Sequence, residues 1–118
     1  MAKDATVAIG DCVAEIEVVQ RIATSMTLQE FSADPIVRRA AAYAIQTISE
    51  AIRRIPDEWL ADYPNQPWSQ IRAIGNRIRH EYFRLDDAIL WAIITTDAPA
   101  LRAVLEAMLV RHTGEGGR

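Results

Sequence analysis

The chain has 118 residues, half of them apolar and a quarter charged, a balance that belongs to a globular protein and excludes a disordered or collagen-like one. That length gives one domain, residues 1–118, with room for a single hydrophobic core. A net charge of −3 argues against the indiscriminate grip of a general nucleic-acid binder but allows a local basic patch, and eight of the thirteen basic residues fall between Arg38 and Arg84.

From Asp4 to Met26, Ile9, Cys12, Val13, Ile16, Val19, Ile22, Ala23 and Met26 recur every three or four positions, which predicts a long amphipathic helix with Met1 to Lys3 fraying. Thr27 and Glu30 have the spacing of a capping box for one further turn through Phe31. Asp34-Pro35 then opens a second long helix running to about Ile55, with Val37, Ala40, Ala41, Ala44, Ile45, Ile48, Ala51, Ile52 and Ile55 on its apolar face. Arg38-Arg39 and Arg53-Arg54 are expected to project from it as solvated surface.

Pro56 to Gln66 reads as an irregular connection packed by Trp59, Leu60 and Tyr63. Pro67 opens a third helix, and Asp86-Asp87 caps a fourth from Ala88 to about Thr95, burying Ile89, Leu90, Ile93 and Trp91. Thr96-Asp97-Ala98-Pro99 repeats the start signal, so a short last helix is expected from Pro99 to about Val110. A mobile tail follows from about His112, whose ring is expected to be exposed and without a partner. No stretch alternates as a strand would. The fold class is therefore all-α, an up-and-down four-helix bundle with a short extra C-terminal helix, and its alanine-rich faces favour a two-fold homodimer.

Cys12 is the sole cysteine, which fits a reducing compartment and a buried filler role. No apolar run is expected to reach the ~20 residues that span a bilayer, and the N-terminus lacks a signal-peptide pattern, so the expected location is cytoplasmic with no membrane partner.

Polar chemistry concentrates between Ile71 and Leu85. On a helix, Arg72, Asn76 and His80 follow at intervals of four and share one flank, with Arg77 close by and Arg79 and Tyr82 on a neighbouring flank. Guanidinium groups neutralise phosphate and imidazole moves protons near neutral pH, so the cluster suits a phosphodiester. A Gly-rich phosphate loop, zinc spacing, a nucleophile elbow and an inward Glu-x-x-His are all missing from the sequence, so catalysis is expected to centre on His80 without metal or cofactor.

The segment from Trp68 to Trp91, with Tyr63-Pro64 and Pro67-Trp68 before it and Asp97 to Leu101 after it, resembles the HepT-like (DUF86) branch of the HEPN superfamily. The resemblance implies a dimeric helical ribonuclease toxin that cuts RNA of the tRNA type. It also implies an antitoxin partner, an MntA-like nucleotidyltransferase, which in some members transfers AMP to the motif tyrosine. In the family motif an Arg is followed by four residues, a His, one residue and a Tyr. His80 and Tyr82 match, Asn76 matches the Asn that commonly follows the Arg, and the Arg position is Gly75. Arg72, Arg77 and Arg79 are the candidates to replace that cation. Three readings stay open on the sequence: a working ribonuclease, a catalytically degenerate module that binds a nucleotide or a partner, and a dimer-interface network in which Glu81 of a second copy satisfies His80.

Overall fold

The structure is a computed structural model that describes residues 2–114, the side chains of residues 2 and 3 excepted. Every regular element among these residues is helical. The first helix, α1, spans Ala2–Ser25, so its backbone is already helical at positions expected to fray, while Met1 lies outside the described residues. Ala5, Ala8, Ile9, Cys12, Ile16 and Val19 are fully buried along one stripe of it. The capping box forms as its spacing requires: Thr27 Oγ1 accepts from the Glu30 N–H at 3.2 Å, and Glu30 Oε1 accepts from the Thr27 N–H at 2.8 Å. It launches α2, Leu28–Ala33, which turns Phe31 into the core against Trp91, their ring centroids 5.3 Å apart.

Asp34 caps α3, Pro35–Ile52, by accepting from the Ile36 and Val37 N–H groups at 3.1 Å each. The buried face of α3 differs from the expected one, since Ala40 is exposed and Ala42 and Ser49 lie inside. This helix also stops short of Ile55. Arg53, Arg54 and Ile55 form a tighter turn, each N–H donating to the carbonyl three residues back, because Pro56 disfavours helical backbone at the residue before it. The following connection holds a helical turn, α4, Asp57–Leu60.

The third long helix, α5, spans Trp68–Glu81 and continues into a 3₁₀ turn at Tyr82–Arg84. Its entry is pinned by the Trp68 indole N–H, which donates to the Leu60 and Tyr63 carbonyls at 3.0 Å each. Asp86 accepts from the Ala88 N–H at 2.9 Å and starts α6, Asp87–Ala92.

No break separates α6 from α7, Ala98–Thr113. Asp97 keeps helical backbone and its side chain caps nothing, so the expected second start signal is not used. A π-helical segment, Ile93–Asp97, joins the two, and the Ala98 N–H reaches the Ile93 carbonyl five residues back. Widening the helix in this way accommodates Pro99, whose ring would clash with the carbonyl of an ordinary α-turn.

The result is one helix of 27 residues, Asp87–Thr113, in place of a fourth helix and a short fifth. It also corrects the expectation about membrane length, because an 18-residue stretch of it has a mean hydropathy of 1.5, long and apolar enough to cross a bilayer by length and composition alone. Here one face of it packs on the core: Leu90, Ile94, Ala98, Leu101, Leu105 and Met108 are buried at intervals of three and four. Arg102 secures it to α1 through Gln20 at 2.7 Å and Glu17 at 3.1 Å.

Gly114, at φ 72°, ends α7 with its N–H on the Val110 carbonyl. His112 and Thr113 are thus helical and not part of a tail, and the His112 ring stacks on Trp59 at 3.7 Å. Residues 115–118, where the rest of the expected tail falls, lie outside the described residues. In the assembled core α1 packs against both α3 and α7, while α5 packs against α3.

Candidate active site

The two helices that build the site, α3 and α5, meet through a polar contact. Gly75 is buried in α5, and a Cβ placed there would lie 2.5 Å from Ser49 Oγ and 2.7 Å from Ser49 Cβ. The Ser49 hydroxyl is itself fully used: it accepts from the Gly75 N–H at 3.2 Å and donates to the Arg72 carbonyl at 3.0 Å. Such close approach of two backbones requires the absence of a side chain on one of them. Position 75, where the family motif carries Arg, therefore has no room for one beside Ser49.

On the exposed flank of α5, Arg72, Asn76 and His80 do share one edge, as a four-residue spacing requires. Together with Arg77 and Glu81 they border an open groove of about 440 Å³, and Arg53 reaches its rim from the end of α3. The Arg53 guanidinium donates through Nη2 to the Arg72 carbonyl at 3.0 Å. A second depression on the Ser49 side, about 520 Å³, is bordered by Glu50, Arg53, Arg72, Asn76 and Arg79. Arg53, Arg72 and Asn76 thus form the ridge between the two.

The arginines are not equivalent. Arg72 is held by Asp57 at 2.8 Å, and its Nε lies buried without an acceptor among the described residues. Arg79 lies 3.7 Å from Glu50 and does not border the His80 groove. Arg53 and Arg77 border the groove and have no carboxylate within ion-pair distance among the described residues.

Sequence reading assigned Arg53 to solvated surface. The only local signal that could have placed it is its spacing of four from Ser49, which becomes informative once the contact of Ser49 with α5 is known. Tyr82 sits beyond α5 with its ring partly buried and edge-on to Phe83, centroids 5.3 Å apart, and it does not border the groove. Far from the site, Cys12 is buried and its thiol points at the Ile48 carbonyl. Burial pushes that thiol up to about 12, with Arg54 opposing and Asp11 adding to the shift, so it is not a nucleophile.

An exposed imidazole and a carboxamide along one helix edge, with unpaired guanidinium groups from α3 and α5 bordering the same groove, can bind a phosphodiester and transfer a proton beside it. Fold and groove together define an all-helical protein with a polar groove of imidazole, carboxamide and guanidinium groups. The chain belongs to the HepT-like ribonuclease family of the HEPN superfamily: the family model, Ribonuclease HepT-like, matches residues 13–108. It is similar to the protein named Putative RNase MJ0127 of Methanocaldococcus jannaschii, 25% identical over 113 residues that cover 96% of this chain and 93% of that one. Probable ribonuclease HepT of Thermococcus cleftensis is 26% identical over 98 residues, covering 83% of this chain and 89% of its own. The protein named Putative RNase MJ1380 of Methanocaldococcus jannaschii is 32% identical over 77 residues, 65% of this chain and 71% of that one. No solved structure matches the chain.

Proposed function

We propose that the protein is an endoribonuclease in which His80 moves the proton. The observation that carries this reading is an exposed His80 sharing a groove with Asn76 and unpaired guanidinium groups, in a chain of a ribonuclease family. In the proposed step the imidazole takes the proton of a ribose 2′-hydroxyl and O2′ attacks phosphorus. The bond to the 5′-oxygen breaks, and that oxygen receives a proton, which leaves a 2′,3′-cyclic phosphate and a 5′-hydroxyl. Asn76 donates to a phosphate oxygen, and arginine neutralises the charge that builds on phosphorus. Among the described residues Glu81 is the one carboxylate bordering this groove and no group of three or more metal-ligating side chains occurs, so the proposed cleavage is drawn with His80 and the guanidinium groups and without a metal.

The proposed assembly is a bundle of the four long helices paired as a two-fold homodimer. Phe83, Ile36 and Tyr43 are 86%, 79% and 70% exposed, apolar surface that a second copy would cover, and pairing would give the reaction a second imidazole. Cytoplasmic action on tRNA-type RNA and control by an MntA-like nucleotidyltransferase acting on Tyr82 belong to the same reading.

The test is cleavage of RNA by the purified protein in the presence of EDTA. His80→Ala should lower the rate by about 10²–10⁴-fold while leaving the melting temperature unchanged, because the ring is exposed. RNA left intact by wild type after long incubation overturns the reading. Gly75 in place of the motif Arg favours a second reading, a binding module without nuclease activity. It predicts nucleotide or partner binding that survives His80→Ala alongside an inactive wild type. For Tyr82, ATP, magnesium and the nucleotidyltransferase should add the mass of AMP to its peptide, and an unmodified peptide refutes that step.

A further inference from the structure

We propose that Arg53, reaching across from the end of α3, supplies the phosphate-facing guanidinium that position 75 cannot carry, and that Ser49 enforces the exchange. The proposal rests on the ribonuclease reading above.

Position 75 is a filled site. Ser49 is 1% exposed, and its Oγ would sit 2.5 Å from a Cβ on Gly75. Its Cβ, which cannot swing away, would sit at 2.7 Å. A side chain at 75 therefore requires Ser49 or one of the two helices to shift, which disturbs the hydrogen bonds of the Ser49 hydroxyl.

One helical turn further along the same stripe of α3 stands Arg53, the residue that meets α5 next. Its Nη2 donates to the Arg72 carbonyl, the same oxygen that Ser49 uses, so one backbone atom of α5 fixes both side chains. A guanidinium has five N–H donors, and this contact occupies one of its nitrogens. No carboxylate pairs with the rest among the described residues. The group is therefore anchored, charged and open toward the groove that holds His80 and Asn76.

The competing arginines each lack one of those properties. Arg72 is neutralised by Asp57, and Arg79 faces Glu50 outside the His80 groove. Arg77 borders the groove but has no hydrogen bond among the described residues to hold it, so it contributes charge without a fixed position. A cation placed before the reaction stabilises developing charge better than one that must be positioned during it.

Single-turnover cleavage of a short RNA by the full chain tests this, with Arg53→Ala, Arg53→Lys, Arg77→Ala and His80→Ala compared. Arg53→Ala should lower the rate by about 10²–10³-fold, Arg77→Ala by about tenfold or less, and Arg53→Lys should fall between wild type and Arg53→Ala. Millimolar guanidinium should restore part of the rate of Arg53→Ala and none of that of His80→Ala, a distinction that a merely structural role of Arg53 would not produce. Binding to an uncleavable 2′-O-methyl RNA gives a readout separate from activity, where Arg53→Ala should weaken binding and reduce the salt slope by about one. Arg53→Ala that cuts within about threefold of wild type, or that is slow and insensitive to guanidinium, overturns the assignment. If wild type and His80→Ala cut equally, or neither cuts, the ribonuclease reading itself fails and Arg53 falls with it.

Discussion

The two faces of α3 are built in opposite ways. Toward α1 and α7 the molecule is sealed by apolar groups: Ile9, Cys12, Ile16, Val19, Leu105 and Met108 are all fully buried. Toward α5 only Gly75 and Ile78 of that helix are buried, Trp68, Ile71 and Ile74 are half-buried against the core, and polar contacts of the Ser49 hydroxyl and the Arg53 guanidinium join the apolar ones. Apolar burial is strong and indifferent to direction, whereas hydrogen bonds are weaker and set position. The molecule thus keeps its stability on one side of α3 and holds its chemistry in register on the other.

Substitutions should separate the two sides, with the largest effects in the apolar seam. Leu105→Ala is expected to cost about 2–5 kcal/mol by urea unfolding, since it opens a cavity where no side chain can collapse freely. A loss no larger than that of an exposed substitution such as Asn76→Ala would contradict the division.

The polar seam should answer to shape. Gly75→Ala ought to destabilise by about 1–3 kcal/mol through overpacking against Ser49, even though alanine is the better helix former by about 1 kcal/mol. In a Ser49→Gly background the sign should reverse, leaving the helix-propensity gain. Equal effects in both backgrounds would mean that Ser49 is not the obstacle.

Cys12 gives a handle on the α1–α3 interface through pH. The unfolded thiol loses its proton above its ordinary value of 9.0, while the folded one keeps it to about 12. The folded state therefore binds more protons in this window, and its stability falls as pH rises from 9.0 toward 12, by up to about 1.4 kcal/mol per pH unit from this one group. The difference in stability between wild type and Cys12→Ala should shrink across that range, and a constant difference would refute the assignment. The smallest effect belongs to Arg79→Ala, about 0–1 kcal/mol, because its pairing with Glu50 is half exposed on both sides and 3.7 Å long.

Much of this architecture was readable along the chain. Thr27 with Glu30, Asp34 with Pro35, and Asp86 each satisfy amides within three residues, so their helices begin where expected. The same logic failed at Asp97-Ala98-Pro99, because a proline that opens a helix and one absorbed by a π-turn look alike locally. Packing of the continuous helix against α1 chose between them. Trp59 and His112 are likewise 53 residues apart in the chain, beyond the reach of any spacing rule.

The sequence by itself determined where α2, α3, α5 and α6 begin, that His80 and Asn76 share an edge, and that the motif cation is missing at Gly75, since each of these depends on residues within about a turn or two of one another. Only the tertiary structure decided which guanidinium stands free. Arg72 meets Asp57 across 15 residues and Arg79 meets Glu50 on α3, and each pairing removes a candidate, while Arg53 reaches α5 and has no carboxylate within ion-pair distance among the described residues. Charge is neutralised by whatever comes within a few ångströms in space, and that distance exists only once the helices have packed.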